Sequence, residues 1–199
     1  MLKKTLLIAL ISFTLCQSLI GAYEEQEINL NYTSILAPIN RVKQDLTETK
    51  EYSESSYNFY PLSFYTQESE GINSKIFLAV QSKGSSDIDL YAYVIHSDYN
   101  TDELTVLQDF KVRSEDDTEK FSKNEMYQEK IKNGLSRYFF EERLSIVNFS
   151  LEKYYKNIFN HVSFYLVSAR VGKKKQVENL VLIEREDRTF EVAAHLKLN

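Results

Sequence analysis

Apolar residues along this chain recur in two rhythms, and the same order of rhythms occurs twice. In the segment opening at Ser34, Ile39, Val42, Leu46 and Lys50 share one helical face, with Lys43, Gln44 and Glu48 on the other. This is the spacing of an amphipathic helix. Pro38 is placed in its first turn, where a missing N–H costs nothing, and the helix is expected to end in the serine-rich Tyr52–Ser56. Four strand-like segments follow, Asn58–Thr66, Asn73–Ser82, Ile88–Ser97 and Glu103–Val112, with turn-forming separators between them. Leu90, Ala92, Val94 and His96 alternate against Tyr91, Tyr93 and Ile95. Both faces therefore carry apolar bulk: one is expected to meet a helix, the other to be aromatic and partly exposed.

Arg113–Glu119 is a charged stretch without an apolar anchor, after which the order restarts. Phe121, Met126, Ile131, Leu135 and Phe139 approximate helical spacing. Gly134 within that helix is expected to weaken it by roughly 1 kcal/mol relative to alanine if exposed. Strand-like segments Leu144–Lys153, Ile158–Val171, Gln176–Glu186 and Thr189–Leu198 complete the second half. Ile76–Val112 slides onto Ser163–Asn199 without a gap at an offset of 87 residues, with identity at Phe77/Phe164, Val80/Val167 and Val94/Val181. The fold class read from this order is α+β, in tandem modules that each pack a helix on a four-stranded antiparallel sheet. The chain divides into 1–22, 23–112, a linker at 113–120, and 121–199. The competing reading is one larger domain with a shared core, and small modules without disulfides are in any case expected to share an interface.

The first segment changes the setting. Lys3 and Lys4 precede the largely apolar Leu6–Phe13, followed by small residues around Ser18, Gly21 and Ala22. That pattern reads as a secretory leader, too short to span a bilayer, and no comparable run follows it. The expected destination is outside the cell or a secretory compartment, without stable membrane insertion. Cys16 is the only cysteine and lies in the leader, so the processed chain would have no thiol. Asn31-Tyr32-Thr33 and Asn148-Phe149-Ser150 are glycosylation sequons; the second falls in a strand-like segment expected to close it off sterically.

Charge and candidate chemistry narrow the function classes. The formal net charge is −5 and becomes more negative without Lys3 and Lys4, which argues against a nucleic-acid groove. The basic run Arg170–Lys175 reads as a solvated hairpin turn, with a contact patch for an acidic partner or surface as the alternative. His96, His161 and His195 lack metal-site spacing, and structural or surface roles are expected for them. Asp98–Glu103 lacks the central glycine of a calcium loop. No catalytic, metal or cofactor site is expected. With 14 tyrosines and 12 phenylalanines, the sheets carry aromatic bulk suited to core packing or to contacts between proteins.

The hairpin between Asn58 and Val80 has the tip Gln67-Glu68-Ser69-Glu70-Gly71, with Gly71 expected to use its freedom at positive φ. This tip, following a helix and a long strand, resembles the first hairpin loop of the cystatins, inhibitors of papain-like cysteine proteases whose motif reads Gln-X-Val-X-Gly. Gln67 and Gly71 match, and Ser69 stands where valine is usual. The resemblance implies a helix lying across a curved sheet, and a wedge of N-terminal segment and two hairpins that plugs a protease cleft. Here the second hairpin is His96–Glu103, with Tyr99 in place of the family's tryptophan, while the equivalent second-half tip is placed at Lys153–Asn157 and lacks the motif. The implied protein-binding residues are Gln67, Glu68, Ser69, Glu70, Gly71 and Tyr99. Tandem modules also occur in latexin-type inhibitors of metallocarboxypeptidases, so the target class stays open. The alternative is a structural or assembly protein of a secretory compartment, acting through homotypic or heterotypic contacts.

Overall fold

The structure is a computed structural model that describes residues 22–50, 52–68, 70–115, 123–159, 162–185 and 187–196. Residues 1–21, on which the expected leader falls, Ser69, residues 116–122 of the junction between the halves, and His161 lie outside the described residues. The first half contains β1 (Glu24–Gln26), α1 (Thr33–Lys50), β2 (Tyr57–Glu68), β3 (Gly71–Ser82), β4 (Ile88–Asp98) and β5 (Leu104–Val112). The second contains α2 (Glu125–Glu141), β6 (Ile146–Ile158), β7 (Val162–Val171), β8 (Gln176–Glu184) and β9 (Phe190–Leu196). Both sheets are antiparallel with strands in sequence order, β1 through β5 in one and β6 through β9 in the other. The helix-on-antiparallel-sheet unit therefore occurs twice, with a fifth strand added to the first sheet by β1.

Alternation along each strand sorts the side chains into layers. Ile76, Leu78 and Val80 of β3 join Tyr91, Tyr93 and Ile95 of β4 under Ile39, Val42 and Leu46 of α1. Ile131, Leu135 and Phe139 of α2 cover Tyr165, Val167, Leu180 and Leu182 in the same way. The opposite faces of the two sheets meet each other, with Phe77, Ala79, Leu90 and Ala92 against Phe164, Leu166, Val181 and Ile183. The order of layers is helix, sheet, sheet, helix. Phe77 and Phe164, equivalent under the 87-residue offset, touch with ring centroids 5.6 Å apart. At the rim, ion pairs Lys153–Asp87 and Arg185–Glu25 link the halves, and the Glu115 amide donates to the Tyr154 carbonyl at 2.8 Å.

Several expectations change. The tyrosine face of β4 is the helix-covered one: the Tyr93 hydroxyl, buried beneath α1, donates to Asp45 Oδ2 at 2.8 Å. No half-exposed aromatic face exists there, because the second sheet covers the other side. Pro38 sits in the second turn of α1 rather than the first, and is buried. Met126 is exposed at the start of α2, whose N-terminus is capped by Asn124 Oδ1 accepting from Met126 N at 3.1 Å. Gly134 is buried rather than exposed: a Cβ there would lie 2.8 Å from the Phe190 carbonyl oxygen, so the glycine lets α2 approach β9.

Candidate protein-binding edge

Register brings three chain segments to one end of the first sheet. Glu24 pairs with Thr66 and Gln26 with Phe64, so the chain enters β1 beside the end of β2. Gly71 pairs with Asp98, which sets the β2–β3 tip next to the β4–β5 tip. The Tyr23 ring lies 3.7 Å from Lys75 Nζ, and Phe159 of the second half approaches the same ammonium at 5.2 Å. Burial depresses the Lys75 pKa.

The first tip is shorter than its composition suggested, since β2 runs through Glu68 and β3 begins at Gly71. Glu68 and Glu70 are exposed, Gln67 is half-buried and Gly71 is buried. Gly71 does not use positive φ, which among the described glycines belongs to Gly84 and Gly172. Its requirement is space: a Cβ would meet the Ser97 carbonyl oxygen at 2.3 Å and His96 Cε1 at 2.6 Å. Below the tip, His96 Nδ1 lies 3.0 Å from Asn73 Oδ1, a cross-strand pair that gives His96 a structural place.

The second tip is fixed by its own backbone. Asp98 Oδ1 accepts from the amides of Asn100 at 2.7 Å and Thr101 at 3.1 Å, and these bonds hold its carboxyl below the ordinary value. Asp102 adopts φ +55°, closing the turn back toward β5. Tyr99 projects from this turn and is 55% exposed. Between the tips and the start of α1 lies an open cleft of about 410 Å³ bordered by Ala37, Pro38, Ile72, Tyr99 and Leu104. The edge thus offers two adjacent hairpins, one projecting aromatic ring and a rim of carboxylates.

Among the described residues the second half has no matching presentation. Its β6–β7 turn follows Ile158 rather than occupying Lys153–Asn157. Phe159 there takes φ +51° and packs its ring 5.8 Å from Phe77 and 5.3 Å from Phe110. Phe159 thus packs, partly buried, against the layer shared by the two sheets. Tyr65, Tyr91, Tyr93, Tyr154, Tyr155 and Tyr165 are buried, so few of the sheet tyrosines are available for surface contacts.

His195 Nε2 lies 2.7 Å from Glu178 Oε2 and its Nδ1 3.1 Å from the Tyr138 hydroxyl, a string that joins β8, β9 and α2 on the helix-covered side of the second sheet. Among the described residues no group of three His, Cys, Asp or Glu is placed to hold a metal ion, and no helix is long and apolar enough to cross a membrane. Asn31 is exposed in the turn before α1. Asn148 lies on β6 as its sequence suggested, yet is exposed rather than closed off, because β6 is an edge strand paired only with β7. The chain matches no model of a known protein family, and no curated protein sequence matches it.

Proposed function

We propose that the protein is a secreted, non-catalytic inhibitor that presents the turn end of its first sheet to the cleft of a papain-like cysteine protease. The observation that carries this reading is the meeting of three segments at one sheet end: the chain entering β1, the Gln67–Gly71 tip and the His96–Glu103 tip. The second tip, its turn held by the Asp98 carboxylate, loses little freedom on binding, which favours affinity from a small contact. Tyr99 supplies apolar area with a polar end, and the buried Gly71 keeps β3 tight against β4 beneath it. Glu68, Glu70, Asp98, Asp102 and Glu103 favour a target with a basic cleft rim. The leader pattern supports secretion, and the exposed Asn31 and Asn148 are the glycan acceptors in that setting.

The test is an inhibition titration of the processed protein against papain-like proteases and a metallocarboxypeptidase. Micromolar or tighter inhibition of the former, weakened about tenfold by Tyr99→Ala, is the expected result. Gly71 is a poor choice for this test because its replacement would disturb the sheet. Failure to slow any papain-like protease at micromolar concentration, or inhibition of the carboxypeptidase alone, overturns the proposal.

A further inference from the structure

The basic run at the β7–β8 hairpin does not stand alone. The Gly172 amide donates to the Ser145 carbonyl at 2.8 Å, and the Gly172 Cβ position is 3.5 Å from Leu144 Cδ2. These contacts staple the hairpin to the turn that leaves α2. The last turn of α2, the turn after it and the start of β6 expose apolar side chains: Phe140 is 82% exposed, Leu144 39% and Val147 50%. On the same turn and on the adjoining hairpin Arg143, Arg170, Lys173, Lys174 and Lys175 are all exposed, and none is ion-paired with another described residue. Glu141 and Glu142 are the carboxylates beside them, which leaves a local excess of positive charge on a chain whose net charge is −5.

We propose that the α2–β6 turn and the β7–β8 hairpin together form a peripheral docking surface for an anionic lipid membrane. Cations flanking a projecting aromatic and aliphatic group match the two layers of such a surface: phosphate-bearing headgroups outside and acyl chains beneath. A polyanion such as a nucleic acid would use the cations but has no need of Phe140 and Val147. Docking here differs from insertion, since the contact is made by a turn and a hairpin. It lies in the second half, away from the tips of the first sheet, and does not depend on their having a protease target.

The test is sedimentation with large vesicles of phosphatidylcholine, alone or with phosphatidylserine. The protein is first freed of N-linked glycans, because Asn148 pairs with Arg170 and a sugar would stand at the rim of the surface. Binding is expected to phosphatidylserine vesicles, to fall in high salt, and to be at least tenfold weaker to phosphatidylcholine alone. Lys173→Glu/Lys174→Glu is expected to weaken it about tenfold or more through charge. Phe140→Ala should weaken it by roughly tenfold through lost apolar burial. Both changes are on exposed positions, and unchanged thermal melts verify folding. Three outcomes overturn the proposal: no vesicle binding by the wild-type protein, equal binding to both lipid compositions, or retention by both variants. Binding to heparin or duplex DNA as tight as to vesicles, unaffected by Phe140→Ala, also overturns it in favour of a polyelectrolyte site.

Discussion

Phe164→Ala tests whether the layer between the sheets makes one folding unit of the two halves. Phe164 is fully buried, and its ring meets Phe77 of the other sheet at 5.6 Å among residues drawn from both halves. Truncating a phenylalanine in a packed core costs roughly 3–5 kcal/mol, from lost transfer energy and the cavity left behind. For a chain of this length each kcal/mol lowers the Tm by about 2–4 °C, so a fall of about 10 °C is expected. The diagnostic quantity is where the loss appears. Hydrogen exchange followed by mass spectrometry should show β3 and β4 losing protection together with β7 and β8, because the cavity opens onto both sheets. Loss confined to β6–β9, with β3 and β4 unchanged, would refute the shared layer as the source of stability and leave the halves as independent units.

Gly134→Ala should lower stability by about 1–3 kcal/mol in urea titrations, although alanine is the better helix former, because its Cβ would press on the Phe190 carbonyl. A gain in stability would show that α2 can move away from β9 freely. Tyr93→Phe removes the donor to Asp45 under α1 and should cost about 1–2 kcal/mol, read by the same titration; no change would mean that the bond adds nothing. Burial raises the pKa of Asp89, but hydrogen bonds from Lys111 and Tyr52 and the charges of Lys111 and Lys153 outweigh it, leaving the carboxyl below its ordinary value. Its folded pKa is thus depressed, so its stabilising effect is present above the unfolded carboxylate pKa and is lost as pH falls through the folded one. The Tm difference between wild type and Asp89→Asn should accordingly shrink on acidification below about pH 4; a difference that stays constant to pH 2 would contradict this.

Much of the architecture was present in the order of residues. Ile39, Val42 and Leu46 named the buried face of α1 because helical periodicity is a local property, and apolar bulk on both faces of β4 was legible, although one of those faces was expected to be partly exposed and is instead covered by the second sheet. The Gln67–Gly71 turn and the Tyr99 hairpin were legible from turn-forming residues between apolar runs. What covers each face was not legible: alternation separates Tyr91 and Tyr93 from Leu90 and Ala92 but says nothing about which pair meets a helix. Gly71 and Gly134 looked like a turn residue and a helix weakness, whereas their neighbours, Ser97 and Phe190, arrive from other elements of the fold. Phe159 looked like one more strand residue and packs, partly buried, against the layer shared by the two sheets. The sequence by itself determined the two helices and the eight longer strands and their order, since backbone preference and side-chain period act within a few residues, whereas the short β1 escaped it. Only the tertiary structure decided the helix–sheet–sheet–helix layering, the packing of Phe159 against the shared layer and the clustering of three segments at one edge, because these depend on contacts between residues far apart in the chain.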